Sequence, residues 1–137
     1  MSGTMISENL ATRFIRRCAA AILDRNWAAV ADCMAEDFQM EDRRTGLQSR
    51  LDKAETVAMT RVMGDLGVDA IDVEVLETRD DYVALCRITN HVDDFTVCTL
   101  SIAKVGDDER ALVFIVFDED ALDGALEQLN LLTEEAN

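Results

Sequence analysis

The hydrophobic spacing of this chain changes at Gly67, and that change limits what the chain can fold into. Before Gly67, apolar residues recur every three to four positions; after it they recur every two. A period near 3.6 belongs to helices and a period of two to strands. The chain therefore reads as helices first, then a sheet. Asp118 restarts the longer period and is placed to cap a closing helix with Leu122, Leu126 and Leu129 on one side. A length of 137 residues suits one domain. With no linker, internal repeat or low-complexity segment, residues 1–137 are read as a single domain.

The helical half has internal punctuation. From Ile6 to about Asp24, Leu10, Phe14, Cys18 and Ile22 repeat every four, with Arg13, Arg16 and Arg17 turned away. Asn26 is a candidate N-cap for a short second helix in which Trp27, Val30, Ala31 and Met34 share a face. Phe38–Met40 alternates like a short strand, and the polar loop Glu41–Gly46 follows. Asp52 caps a third helix, with Glu55 placed to complete a capping box. Val57, Ala58, Val62 and Leu66 are expected on its inner face, and Gly64 and Gly67 mark its end.

Four strands follow, the first carrying Ile71, Val73 and Val75, then Tyr82–Asn90, Phe95–Val105 and Arg110–Phe117, joined by acidic turns. A sheet wet on one side alternates apolar and polar residues. The first strand does, but Ala111–Phe117 is apolar throughout, and the second and third are apolar on part of both faces. Both faces therefore need a cover. A second copy of the chain, making a homodimer through the sheet, is the expected cover; the C-terminal helix folding back is the alternative.

Charge excludes some partners. The net charge is −15, whereas nucleic acid and anionic membranes attract positive potential. Residues 1–61 hold nine basic and nine acidic residues; residues 62–137 hold four basic against nineteen acidic. That acidic half reads as a solvated surface, or as a docking face for a basic partner. The start of the chain has no basic segment leading into an apolar one, and the apolar run Ala111–Phe117 is far short of the ~20 residues of a membrane span. A cytoplasmic location is expected. Cys18, Cys33, Cys86 and Cys98 form no C-x-x-C pair and are expected as reduced thiols. With one histidine, His91, no metal site is assigned, and no cofactor either.

The order of elements, together with Cys18–Trp27, Ala35–Gly46 and Phe114–Asp123, resembles the SnoaL-like family. This is the cone fold shared by nuclear transport factor, ketosteroid isomerase and scytalone dehydratase. The last segment is similar to a variant at the end of some actinobacterial regulatory proteins. The resemblance implies an α+β domain, a cone-shaped curved antiparallel sheet packed on three N-terminal helices, with a C-terminal helix. It also implies a pocket between helices and sheet. Phe14, Cys18, Trp27, Met40, Met59 and Met63 are the candidate ligand-binding wall, although their helical spacing also suits ordinary core.

Asp42 is the candidate catalytic residue, because it matches the proton-shuttling aspartate of ketosteroid isomerase. A carboxylate at the rim of an apolar pocket has a raised pKa and can move a proton between carbons. Arg43 and Arg44 oppose this, and a loop salt bridge is the other reading of Asp42. The oxyanion donors of ketosteroid isomerase would fall near Cys18 and near Ser101 or Ile102, which are not such donors. A limonene-type epoxide hydrolase would draw on Asp42, Arg87, Asn90 and Tyr82. His91, at a hairpin, is a further base candidate, and Arg87, inside an apolar strand, needs an acidic partner. Two functions are in view. One is small-molecule binding, with isomerase, cyclase or hydrolase chemistry on a small hydrophobic substrate. The other is a non-catalytic dimeric regulatory module.

Overall fold

The computed structural model describes residues 8–135. Three helices lead: α1 (Leu10–Leu23), α2 (Trp27–Asp32) and, after two strands, α3 (Lys53–Asp65). The strands are β1 (Met34–Asp42), β2 (Ser49–Asp52), β3 (Val68–Arg79), β4 (Val83–Val92), β5 (Phe95–Val105) and β6 (Ala111–Asp118), and α4 (Leu122–Glu135) closes the chain. The expected helix start at Ile6 lies outside the described residues. Asn9 caps α1 through a reciprocal pair, its side chain accepting from Thr12 N at 3.0 Å while Thr12 Oγ1 accepts from Asn9 N at 2.8 Å. Asp52 and Glu55 form the same device at α3.

The sheet order is β2-β1-β6-β5-β4-β3, which leaves β2 and β3 as its edges. All pairings are antiparallel except one: β1 runs parallel to β6. The sheet is the expected curved antiparallel one, with this single parallel pair added at the β1 side. The chain leaves α2 through Cys33, whose carbonyl accepts from Ala111 N at 2.8 Å. β1 is thereby seated on the open edge of the last strand and runs in its direction. β1 is also longer than Phe38–Met40, and it pairs with β2, a four-residue strand whose sequence has no alternating pattern. Register shifts interrupt the β1–β6, β3–β4 and β5–β6 ladders. Such irregularities bend strands, in keeping with the sheet's curvature around the helices.

One core lies between the helices and the concave face. It joins Ala11, Phe14 and Ile15 of α1 to Phe38, Cys86, Ala103 and Val116 of the sheet. A second lies on the opposite face, where Ala125, Leu129 and Leu132 of α4 cover Val83, Leu85, Leu100, Ile102, Ile115 and Phe117. The doubly apolar strands are thus covered twice within one chain, and the face that argued for a homodimer is occupied by α4.

The face of α3 is a second correction. Thr56, Thr60 and Gly64 are its buried positions, whereas Ala58, Val62 and Leu66 are exposed. Both threonine hydroxyls donate to the carbonyl four residues back, Thr56 to Asp52 at 2.7 Å and Thr60 to Thr56 at 2.8 Å. Their polarity is thereby absorbed by the helix. Gly64 faces the Trp27 ring so closely that a Cβ there would lie 2.5 Å from the indole. Gly64→Ala is expected to lose about 1–2 kcal/mol of stability by overpacking, despite the ~1 kcal/mol alanine gains in helix propensity. Urea unfolding checks the sign, and in a Trp27→Leu background the same substitution should become neutral or stabilising.

Candidate functional site

The concave core is not fully packed. A cavity of about 280 Å³ lies between α1, α3 and the sheet. Phe14 and Cys18 line it from α1, Met40 from β1, and Met59 and Met63 from α3. Trp27 does not line it. Its ring lies over Gly64, between α2 and α3, because the short α2 turns that face toward its neighbouring helix. The opposite wall carries Asn90, Thr99 and Ser101. Thr99 and Ser101 are buried, and strand parity puts them on the inner face with Cys86 and Val116. Asn90 and Ser101 enter the sequence reading only singly; Thr99, and the row the three form, do not, although the alternation Val97, Thr99, Ser101, Ala103 carries it.

Asp42 sits on the inner face of β1, opposite Val116, and is only 6% exposed. Its carboxylate is not part of the cavity wall; Arg44 is. Arg44 grips it through backbone N to Oδ1 at 3.0 Å, Nε to Oδ1 at 3.0 Å and to Oδ2 at 3.2 Å, and Nη2 to Oδ2 at 2.7 Å. This bidentate fork with a charged acceptor is among the stronger polar contacts available to a protein. The hydrogen bond to Asp42 raises the pKa of Arg44. Arg43 points the other way. It pairs with Glu41, donates to Gln128 of α4 at 2.8 Å and lies over the Phe117 ring at 5.6 Å. The two adjacent arginines therefore serve opposite faces of the sheet. Asp118 holds the loop between β1 and β2 by accepting from Thr45 N and Oγ1 at 3.0 and 2.8 Å, which lowers its pKa.

The other candidates do not converge on the cavity. His91 and Arg87 alternate with Asn90 and Ile88, so they project from the outer face. Nε2 of His91 lies 2.7 Å from Asp72, and Arg87 donates to Glu74 at 2.9 Å. Arg87 finds its acidic partner on the next strand of the same chain. Tyr82 bonds to Asp107 beyond the other end of the strand. The epoxide hydrolase grouping is therefore not assembled: of its four members, only Asn90 lines the cavity. Burial pushes the thiols of Cys18 and Cys86 up to about 12. Among the described residues, no group of three or more histidine, cysteine or acidic side chains is arranged to hold a metal ion, and no helix is long and apolar enough to cross a membrane.

No protein-family model matches the sequence, and no curated protein does. Solved structures do share its shape. An LEH-like epoxide hydrolase from Mycobacterium tuberculosis superposes with a TM-score of 0.61 at 19% identity, over 92% of this chain and 96% of its own. A steroid delta-isomerase from Pseudomonas aeruginosa gives 0.61 at 12% identity, over 97% and 100%. A computationally designed 17-OHP binder gives 0.67 at 12% identity, over 83% and 94%. The chain has the cone-shaped α+β fold of these proteins.

Two outcomes test this geometry. Asp42→Asn is expected to lose about 1–3 kcal/mol, and Asp42→Asn combined with Arg44→Gln should lose less than the two single changes added; urea unfolding measures both. At pH 8, Cys18 and Cys86 are almost wholly protonated, because their pKa values are raised. The thiolate is the reactive form, so Ellman's reagent should modify these two slowly in the native protein. In denaturant all four cysteines should react promptly.

Proposed function

We propose that the protein binds a small, largely apolar molecule in the cavity between α1, α3 and the concave sheet. The observation that carries this reading is the void itself. Protein interiors are packed like organic crystals, with few voids larger than a water molecule. A space of about 280 Å³, lined mostly by apolar side chains, is far larger than the voids such a core leaves. The volume lies just under the ~300–1,000 Å³ of drug-sized sites and is roughly twice that of an engineered cavity that takes benzene. A two-ring occupant is the appropriate scale. The steroid delta-isomerase, the epoxide hydrolase and the designed 17-OHP binder support the reading, since each is named for a small organic molecule.

Binding stands ahead of acid/base chemistry because of how Asp42 is held. To take a proton from a ligand, Asp42 would have to release Arg44 and reach a wall it does not line. Its role in this reading is to position Arg44 at the rim. Calorimetric titration with naphthalene is expected to show saturable one-to-one binding. Val73→Trp, which places an indole in the void from the edge strand, should weaken that binding at least tenfold while leaving Tm unchanged or raised. If naphthalene and its hydroxylated relatives all fail to bind the natural protein, the reading is wrong.

A further inference from the structure

Thr99 and Ser101 are 6% and 1% exposed, and both line the cavity. Among the described residues, neither hydroxyl has a hydrogen-bond partner, in contrast to Thr56 and Thr60 on the facing helix, which are satisfied by backbone carbonyls. Buried polar groups are nearly always paired, so two orphaned hydroxyls side by side on one wall call for partners from outside the chain. We propose that they bind two neutral oxygens carried along one edge of the ligand. This rests on the reading of the cavity as a ligand site and specifies the chemistry that site selects.

The spacing comes from the strand. Thr99 and Ser101 are alternate residues of β5, so they share a face and their Cα atoms lie about 7 Å apart. Asn90, on β4 opposite Val97, extends the row toward the β4–β5 turn. A hydroxyl both donates and accepts, so each position takes a ligand alcohol, phenol or carbonyl equally. The charge preference follows from the rim. Among the described residues, Arg44 is the one charged residue in the cavity's lining, and Asp42 cancels its charge through the fork. A carboxylate entering the cavity would compete with Asp42 for that guanidinium and leave one anion buried without its cation. The occupant is therefore a neutral, two-ring-sized molecule with two oxygens on one side.

Naphthalene, 2-naphthol and 2,7-dihydroxynaphthalene, with 2-naphthoate as the anionic control, form a graded probe set. Each oxygen that meets an orphaned hydroxyl should tighten binding roughly tenfold, so affinity should rise along the three neutral probes. The acid should bind no tighter than 2-naphthol. Ser101→Ala and Thr99→Val should each remove one step, and the double variant should bind all three neutral probes alike. Retention of naphthalene affinity in these variants shows that the cavity is intact. The inference is overturned if naphthalene binds but the diol binds no tighter, if the diol's advantage survives in the double variant, or if 2-naphthoate is preferred. Failure of all the probes overturns the ligand-site reading with it.

Discussion

The structure depends on a sheet whose central strands are apolar on both sides. Burial of apolar area is the main favourable term in folding, and here it must be satisfied in two directions at once. Cys86, Ala103 and Val116 look toward α1 and its neighbours, while Leu85, Ile102 and Ile115 look toward α4. The two covers do different work. On the outer face, α4 packs directly with Ala125, Leu129 and Leu132. On the inner face the curved sheet and the helices stand apart over part of their length, and the cavity is what remains. The closing helix fills one side of the sheet, and the other side keeps the cavity.

The sequence made much of this legible. The change of hydrophobic period located helices and strands, and Asn26 and Asp52 marked helix starts because capping is a local effect. The acidic hairpin turns were visible for the same reason. What stayed hidden was set by tertiary contact. Val62 and Leu66 read as core by hydrophobicity, yet the phase of α3 was decided by Thr56 and Thr60, which return their hydroxyls to the helix, and by Gly64, which admits an indole. The direction of β1 depends on which strand it joins, and nothing within Met34–Asp42 encodes that. β2 is four residues long with little burial, and so carries almost no pattern.

The candidate site was half legible. Helical spacing and family resemblance pointed to Phe14, Cys18, Met40, Met59 and Met63, and all five line the cavity. Asp42 drew attention as a carboxylate beside two arginines. The alternation of β1 sends Asp42 inward with Arg44 and sends Arg43 outward to α4, a distinction that required the strand to reach Asp42. Trp27 was misplaced because a large aromatic suits a ligand wall and a helix contact equally well. The hydroxyl row went unread because serine and threonine within a strand carry no signal until both faces of that strand are known.

The position of β3 at the margin of the sheet gives meaning to the uneven charge. A strand of twelve residues with one side of its backbone unpaired is a template on which other chains can polymerise. Asp69, Asp72 and Glu74 are exposed along it, and although Arg87 pairs with Glu74 and His91 lies against Asp72, the margin stays net negative, so two such margins repel one another on approach. The negative half of the chain then acts as a guard against fibre growth. That protection would weaken in concentrated salt, as the repulsion is screened.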